Sequence, residues 1–437
     1  MNRTLYLSSR KNQIEIINSD AEIDLQLKLS SYPDVSEEQL NQIALIAFQT
    51  PTEDEARQFL ILFYAYSKRN RTNTLVFKDQ VEDLLVKLYF NFPNLLQQHL
   101  DCLNICVDQF HYLNAPYYQI IPSLVEQFQW QTDSIKCSIA SFVLSVAECA
   151  TDDEVISSTK EFYSNLLSDI ENLNAPLQIE VITRFQTAGC YGMRPELEIQ
   201  EYFVQWLTQK VKTFAENISD EKICLACVQT IAELTANQHF GRELVYLIDH
   251  IMKLAFKALS QKNINTELIV YCLRFLEIAV DANKSDQFQL CQKMIDCNLK
   301  NFLQLVGTLK GQKITVAVLR LHYLLVSIIP QDIIDLQYYL STVLALDDLV
   351  QVWSINMIHK CFLFNPDLIT SHMINDIARG RYSNNVLMQI AIFLTDAIPE
   401  IGNQYLILDP LIEQMRSYGP CYEFLTYFGF EDDTLYM

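Results

Sequence analysis

One type of segment returns eight times along this chain, and that recurrence constrains the fold more than any other feature. It appears as LLQQHLDCLNICV from Leu95, IKCSIASFVLSVA from Ile135, LQIEVITRFQTAG from Leu177 and ICLACVQTIAELT from Ile223. It returns as LIVYCLRFLEIAV from Leu268, ITVAVLRLHYLLV from Ile314, LVQVWSINMIHKC from Leu349 and VLMQIAIFLTDAI from Val386. Successive starts lie 40, 42, 46, 45, 46, 35 and 37 residues apart, near the period of roughly 40 residues of helical-hairpin repeats. Within each segment the first, fifth, eighth and twelfth positions are mostly apolar, as in Leu268, Cys272, Phe275 and Ala279. That spacing draws one stripe along one face of a helix.

A single hairpin cannot bury both of its faces, so such units must stack and share a continuous core. Partner helices are expected between the segments, at Pro195 to Glu216, Gly241 to Leu259 and Ser285 to Leu305. Breaks such as Asn91-Phe92-Pro93, Asn114-Ala115-Pro116, Thr151-Asp152-Asp153 and Asn365-Pro366-Asp367 end one helix and start the next. With only 9 Gly and 12 Pro in 437 residues, sandwiches, barrels and Gly-rich phosphate loops are excluded. The expected fold is all-α: a right-handed HEAT-like α-α superhelix, or solenoid, of about eight to nine hairpins over residues 37–417. Gly is too scarce for the turn that armadillo repeats place between their first two helices. Residues 1–36, where Ile23, Leu25, Leu27 and Leu29 alternate with polar residues, read as an arm or an irregular first helix, and residues 418–437 as an acidic tail.

Charge and chemistry narrow the function. Lys+Arg 32 against Asp+Glu 53 gives a net charge of −21, which repels nucleic acid and attracts basic proteins. The 12 Cys sit mostly in apolar runs, as reduced core thiols do, pointing to a cytoplasmic or nuclear compartment. Met1 to Asn12 shows no secretory pattern. The longest apolar run, Ile314 to Ile329, is interrupted by Arg320 and His322 and is too short for a bilayer span, so a soluble chain without membrane insertion is expected.

His99, Cys102, Cys106 and His111 offer zinc-ligand types within thirteen residues, but His111 points away from the stripe shared by the other three, so no metal site is expected. Cys224 and Cys227 form a CxxC inside an apolar helical arc with no strand before it, unlike a redox motif. No nucleophile elbow, Walker loop, zincin helix or dinucleotide turn occurs, so no enzyme and no cofactor are expected. The acidic groups at Asp152-Asp153-Glu154 and Asp347-Asp348 read as helix starts. Trp353 and Asn356 are three apart, not the four of an armadillo ladder, and read as core.

What remains for binding is the line of seventh positions: Ser141, Thr183, Gln229, Arg274, Arg320, Ile355 and Ile392. If the stripe faces inward these residues run along the inner, concave surface. Gln229, Arg274, Arg320, Ile355 and Ile392 are the candidate protein-binding set, the arginines for partner carboxylates and the isoleucines for apolar contact.

The region from Glu37 to Cys149 resembles the N-terminal repeats of the karyopherin-β (importin-β/exportin) nuclear transport receptors, especially the group related to the export receptor of importin-α. EEQLNQIALIAFQTPTEDEARQFLILFYAYSKRN is similar to that family's first hairpins, with Arg57, Lys68, Arg69 and Asn70 as its basic residues and closing Asn. FKDQVEDLLVKLYFNFPNLLQQHLDCLNICVDQF resembles the next helix pair, and APYYQIIPSLVEQF the helix bracketed by Pro116 and Pro122, with Tyr118 where Trp is common. The resemblance implies a flexible solenoid that binds protein cargo, the small GTPase Ran and nucleoporins, and that shuttles between cytoplasm and nucleus. The alternative is a HEAT scaffold or adaptor of the phosphatase-regulatory or vesicle-coat type.

Overall fold

The computed structural model describes residues 35–70, 75–77, 80–109, 118–149, 153–188, 195–236, 239–402 and 406–429. Every regular element among them is helical. The arm expected over residues 1–36 lies almost wholly outside the described residues. The chain divides into two compact units, residues 1–203 and 204–437.

In the first unit α1 (Glu37–Phe48), α3 (Val81–Asn91), α5 (Ile121–Gln127) and α7 (Asp153–Ser168) alternate with α2 (Glu53–Arg69), α4 (Leu96–Gln109), α6 (Asp133–Cys149) and α8 (Ala175–Ala188). The even-numbered helices pack on one another in sequence as rungs of a ladder, and the odd-numbered ones cover them. Capping starts several of these helices where the sequence places a hydroxyl. Ser36 and Thr52 each accept from the amide three residues on, while Gln39 and Glu55 answer the cap residue's own amide, two complete capping boxes. The rungs are also stitched by polar contacts: the Cys102 thiol donates to the Leu60 carbonyl at 3.2 Å, and Asn104 Nδ2 to that of Ser138 at 3.1 Å.

The helix α9 (Leu197–Glu216) carries the chain into the second unit. There the ladder is α10 (Glu221–Leu234), α12 (Thr266–Ala282), α15 (Gln312–Leu325), α17 (Asp348–Phe364) and α19 (Asn384–Ile401). Its cover is α11 (Ile248–Leu259), α13 (Gln287–Asp296), α14 (Leu299–Gly307), α16 (Leu336–Val343), α18 (Ser371–Ala378) and α20 (Asp409–Arg416). Asp220, Asn265, Asp335, Asp347 and Thr370 cap α10, α12, α16, α17 and α18 with their side chains, the role expected of Asp347 as a helix start. The helical array also continues past residue 417: α21 (Tyr422–Tyr427) packs on α19 and α20 with Phe424 and Leu425 buried.

The stripes are buried as the repeat requires at Leu268, Cys272, Phe275 and Ala279, at Ile314, Val318, Leu321 and Leu325, and at Val386, Ile390, Phe393 and Ala397. In α17 the register differs by one residue from the pattern expected from sequence. Leu349 is 47% exposed, whereas Val350, Ser354, Met357 and Cys361 are buried. Counted from Val350, the last two steps, 314 to 350 and 350 to 386, are both 36 residues. The expected partner helix Ser285 to Leu305 is two helices, because Asn298 stands at φ 67, in the left-handed region that Asn tolerates better than other non-Gly residues.

Candidate protein-binding surface

At 100° per residue, the third, seventh, tenth and fourteenth places after the start of a stripe share one arc on the side away from the core. On α12 this arc carries Val270, Arg274, Glu277 and Asp281, and on α15, which ends before its fourteenth place, Val316, Arg320 and Tyr323. On α17, in its true register, it carries Val352, Asn356, His359 and Leu363, and on α19 Met388, Ile392, Thr395 and Pro399. The four rungs therefore present one strip of surface whose chemistry changes along its length.

At the α10–α15 end the strip carries two ion pairs that bridge neighbouring rungs. Arg274 Nε donates to Glu233 of α10 at 2.8 Å. Arg320 donates through Nε and Nη2 to one oxygen of Glu277 on α12, at 3.1 and 2.6 Å. Its guanidinium also lies 5.8 Å from the Trp353 ring centre, a cation–π distance. Tyr323 meets the same indole edge-on at 5.9 Å, and Lys360 sits over the Tyr323 ring at 3.8 Å. Trp353 is thus half-buried in this cluster and not enclosed in the core. Each arginine reaches back one rung to a carboxylate, so neither is the unattached cation expected from sequence.

At the α17–α19 end the strip turns apolar. Leu363 is 63% exposed, and Met388 and Ile392 are each 43% exposed, while Val352, three turns before Leu363 on the same arc, is half-buried. His359 Nε2 and Asp396 Oδ2, 2.7 Å apart, tie the two helices together among these residues.

Of the residues chosen from sequence, Ile392 and the two arginines lie on the strip. Ile355 does not: it is fully buried, because the one-residue register difference turns it 100° into the core and puts Asn356 in its place. Gln229 is half-buried on α10, a helix covered nearly all round. In the first unit Ser141 and Thr183 are half-buried, and the Thr183 hydroxyl is returned to the Ile179 carbonyl at 2.9 Å. Ser141 lines a shallow depression of about 280 Å³ with Asp101, Glu180 and Lys68.

The other sequence candidates take structural places. His99, Cys102 and Cys106 are all buried on α4, and His111 lies outside the described residues. Burial brings His99 down to about 4. Burial pushes the Cys224 thiol up to about 12 and Cys227 higher still, the opposite of a reactive thiolate. Among the described residues no group of three or more His, Cys, Asp or Glu is placed to hold a metal. No described helix is long and apolar enough to cross a membrane.

Sequence reasoning missed a cavity of about 550 Å³ lined from α14, α15, the segment 332–335 that follows α15, and α16, with His322 among its walls. The available signal was His322 itself, a polar break in the longest apolar run.

No protein-family model matches the chain, and no curated protein matches it. Among solved structures, an engineered protein is 12% identical and aligns over 88% of this chain and 94% of its own, with a TM-score of 0.49. A chain from work on a phosphorylation switch in the interaction between cadherin and β-catenin is 11% identical over 92% of this chain and 82% of its own, with a TM-score of 0.36. One from work on tubulin recruitment by microtubule polymerases with TOG domain arrays is 10% identical over 87% and 97%, at 0.27. Likenesses this distant carry no weight for function. The class is defined by the chain's own stripes and ladders: an all-α helical-repeat protein.

Proposed function

We propose that this chain is a non-catalytic protein-binding repeat protein that docks partners on the strip formed by α12, α15, α17 and α19. The observation that carries this reading is that Leu363, Met388 and Ile392 stand exposed on the same outward arc as the cross-rung pairs Arg274–Glu233 and Arg320–Glu277. Such a surface fits an apolar anchor at one end and polar positioning at the other, the division of labour common in protein interfaces. The surrounding field of a chain with net charge −21 favours partners with basic flanks and makes their association rate fall as salt rises. Replacing Leu363 and Ile392 together with Ser tests the reading: partners captured by the unaltered chain are lost while the fold is kept. Retention of those partners would overturn it.

The finer reading is a short, divergent transport receptor of the karyopherin-β type, working in the cytoplasm and shuttling to the nucleus. It is supported by the resemblance of Glu37 to Cys149 and by the acidity of the chain. Capture on immobilised Ran loaded with GTP, compared with GDP, decides it. Selective capture by the GTP form sustains it, and no difference leaves the scaffold or adaptor reading of phosphatase-regulatory or vesicle-coat type.

A further inference from the structure

The turns that lead from cover helices into rungs line up along one edge of the second unit's ladder, and the turn into α17 holds apolar side chains in the open there. Leu344 and Leu346 are both exposed, Leu346 fully, and Leu349 follows, also exposed, in the first turn of α17. Val352 stands one turn further along the outward arc. Met388 takes the same place in the repeat on α19, with Ile392 one turn beyond. Because α17 packs on α19, these side chains gather within about 12 Å of the starts of two adjoining helices. One exposed leucine is ordinary, whereas a group of this kind marks a contact surface.

Cations bracket the group. Gln312 Nε2 donates to Asp347 Oδ1 at 3.1 Å, which brings the start of α15, with Lys310 and Lys313, against the turn into α17. Arg379 and Arg381 stand on the other side, in the turn into α19, and all four cations are exposed. Of the carboxylates around these three turns, Asp347 also caps α17 through the Val350 amide at 3.0 Å. Asp376 pairs with Arg379 at 3.2 Å, and Asp348 is exposed. The edge thus has a formal surplus of one positive charge in a chain whose net charge is −21.

The chain itself contains a segment of matching chemistry. Residues 430–437 lie outside the described residues and join the acids Glu431, Asp432 and Asp433 to the apolar Phe430, Leu435, Tyr436 and Met437. The described chain leads to them from this same edge. Gln414, near the end of α20, donates to the Gly380 carbonyl at 2.9 Å and accepts from the Tyr382 amide at 3.1 Å, so α20 ends at the turn into α19. From there α21 starts six residues on and packs on α19. Eight extended residues span up to about 28 Å, more than the about 12 Å from the start of α19 to Ile392.

We propose that residues 430–437 of this chain dock on that edge, their acids met by the bracketing cations and Leu435, Tyr436 and Met437 by the exposed leucines and Met388. A tether this short holds the segment at an effective concentration in the millimolar range, so a weak contact suffices and an incoming partner must displace it. The inference rests on the docking reading of the strip, with which it shares Met388 and Ile392.

Irradiation of the full chain carrying p-benzoylphenylalanine in place of Tyr436, followed by peptide mapping, tests the proposal. Adducts are expected within residues 344–352 and 388–392 of the same chain, with a yield independent of protein concentration. Arg381→Glu should lower the yield about two- to fivefold. Leu346→Ser, at a fully exposed position that leaves the core untouched, should lower it about threefold or more. Lys262→Glu makes the same charge change in the turn into α12, two rungs from α17, and should alter nothing. No adduct, adducts confined to other segments, adducts only between chains, or equal losses from Arg381→Glu and Lys262→Glu would overturn the proposal. Absence of the adduct while Leu363→Ser with Ile392→Ser still loses partners would strike the tail alone. An adduct in a chain whose partners survive those substitutions would sustain the tail and strike the partner reading alone.

Discussion

Rungs α12 and α15 and rungs α17 and α19 are built on the same stripe and bury the same kind of core, yet their outward arcs differ. The first pair carries Arg274, Glu277 and Arg320 linked across rungs at 2.6 to 3.1 Å. The second carries Leu363, Met388 and Ile392 in the open. A repeat needs its inward positions for stacking and leaves its outward ones unconstrained, so one ladder can seal part of its face with its own ions and leave another part apolar. Position in the repeat says where a residue points, and the residue one rung away says whether it is available.

The comparison can be tested from the core outward. Phe275→Ala and Phe393→Ala remove fully buried rings from beneath the charged and the apolar end, and each should cost about 3–5 kcal/mol in denaturant unfolding. A loss at only one end would place the difference in the core and not on the face. Acid should distinguish the ends next. His322, beneath the charged end on α15, is held at about 4 by burial against an ordinary value near 6.5. The unfolded chain takes up this proton between those values and the folded chain does not, so stability is complete above pH 6.5 and falls as pH drops toward 4. The loss is at most about 3 kcal/mol, and hydrogen exchange should report it in α15 before α19. His99 adds a similar loss in the first unit.

Smaller effects belong to the faces themselves. Ile392→Ser should weaken a docked partner by about 1–2 kcal/mol while moving the unfolding midpoint little. A double-mutant cycle on Arg320 and Glu277 should give a coupling of about 1 kcal/mol. The more exposed Arg274–Glu233 pair, with side chains 36% and 38% accessible, should give about 0.5 kcal/mol or less, falling with salt. Equal and larger couplings in both pairs would mean that they are more than surface pairing.

The rungs were legible in the sequence because a stripe of four apolar places, repeated at hairpin spacing, is what a stacked array of helices demands and what few folds besides can use. The α17 register was not, for a local reason. Leu349 and Val350 are both apolar, and the buried stripe includes Ser354, whose hydroxyl is satisfied by the Val350 carbonyl at 2.7 Å and the Thr342 hydroxyl at 2.8 Å. Hydropathy takes such a serine for a surface residue and moves the stripe by one, which places Ile355 on the outside. The arginines are where the repeat puts them, but their attachment is invisible to any local pattern, since Glu233 and Glu277 lie 41 and 43 residues earlier. The cavity is assembled from three helices and the segment 332–335 between two of them, and shows in the sequence only as one histidine in an apolar run.

Asn298 breaks what would otherwise be one cover helix, and four of the cavity's wall residues, Lys300, Leu303, Gln304 and Gly307, all follow that break. The short helix that starts at this break supplies one wall of the opening, so the backbone at Asn298 sets where that wall begins. A β-branched residue at 298, for which the left-handed conformation is a strain, would disturb that wall in one step.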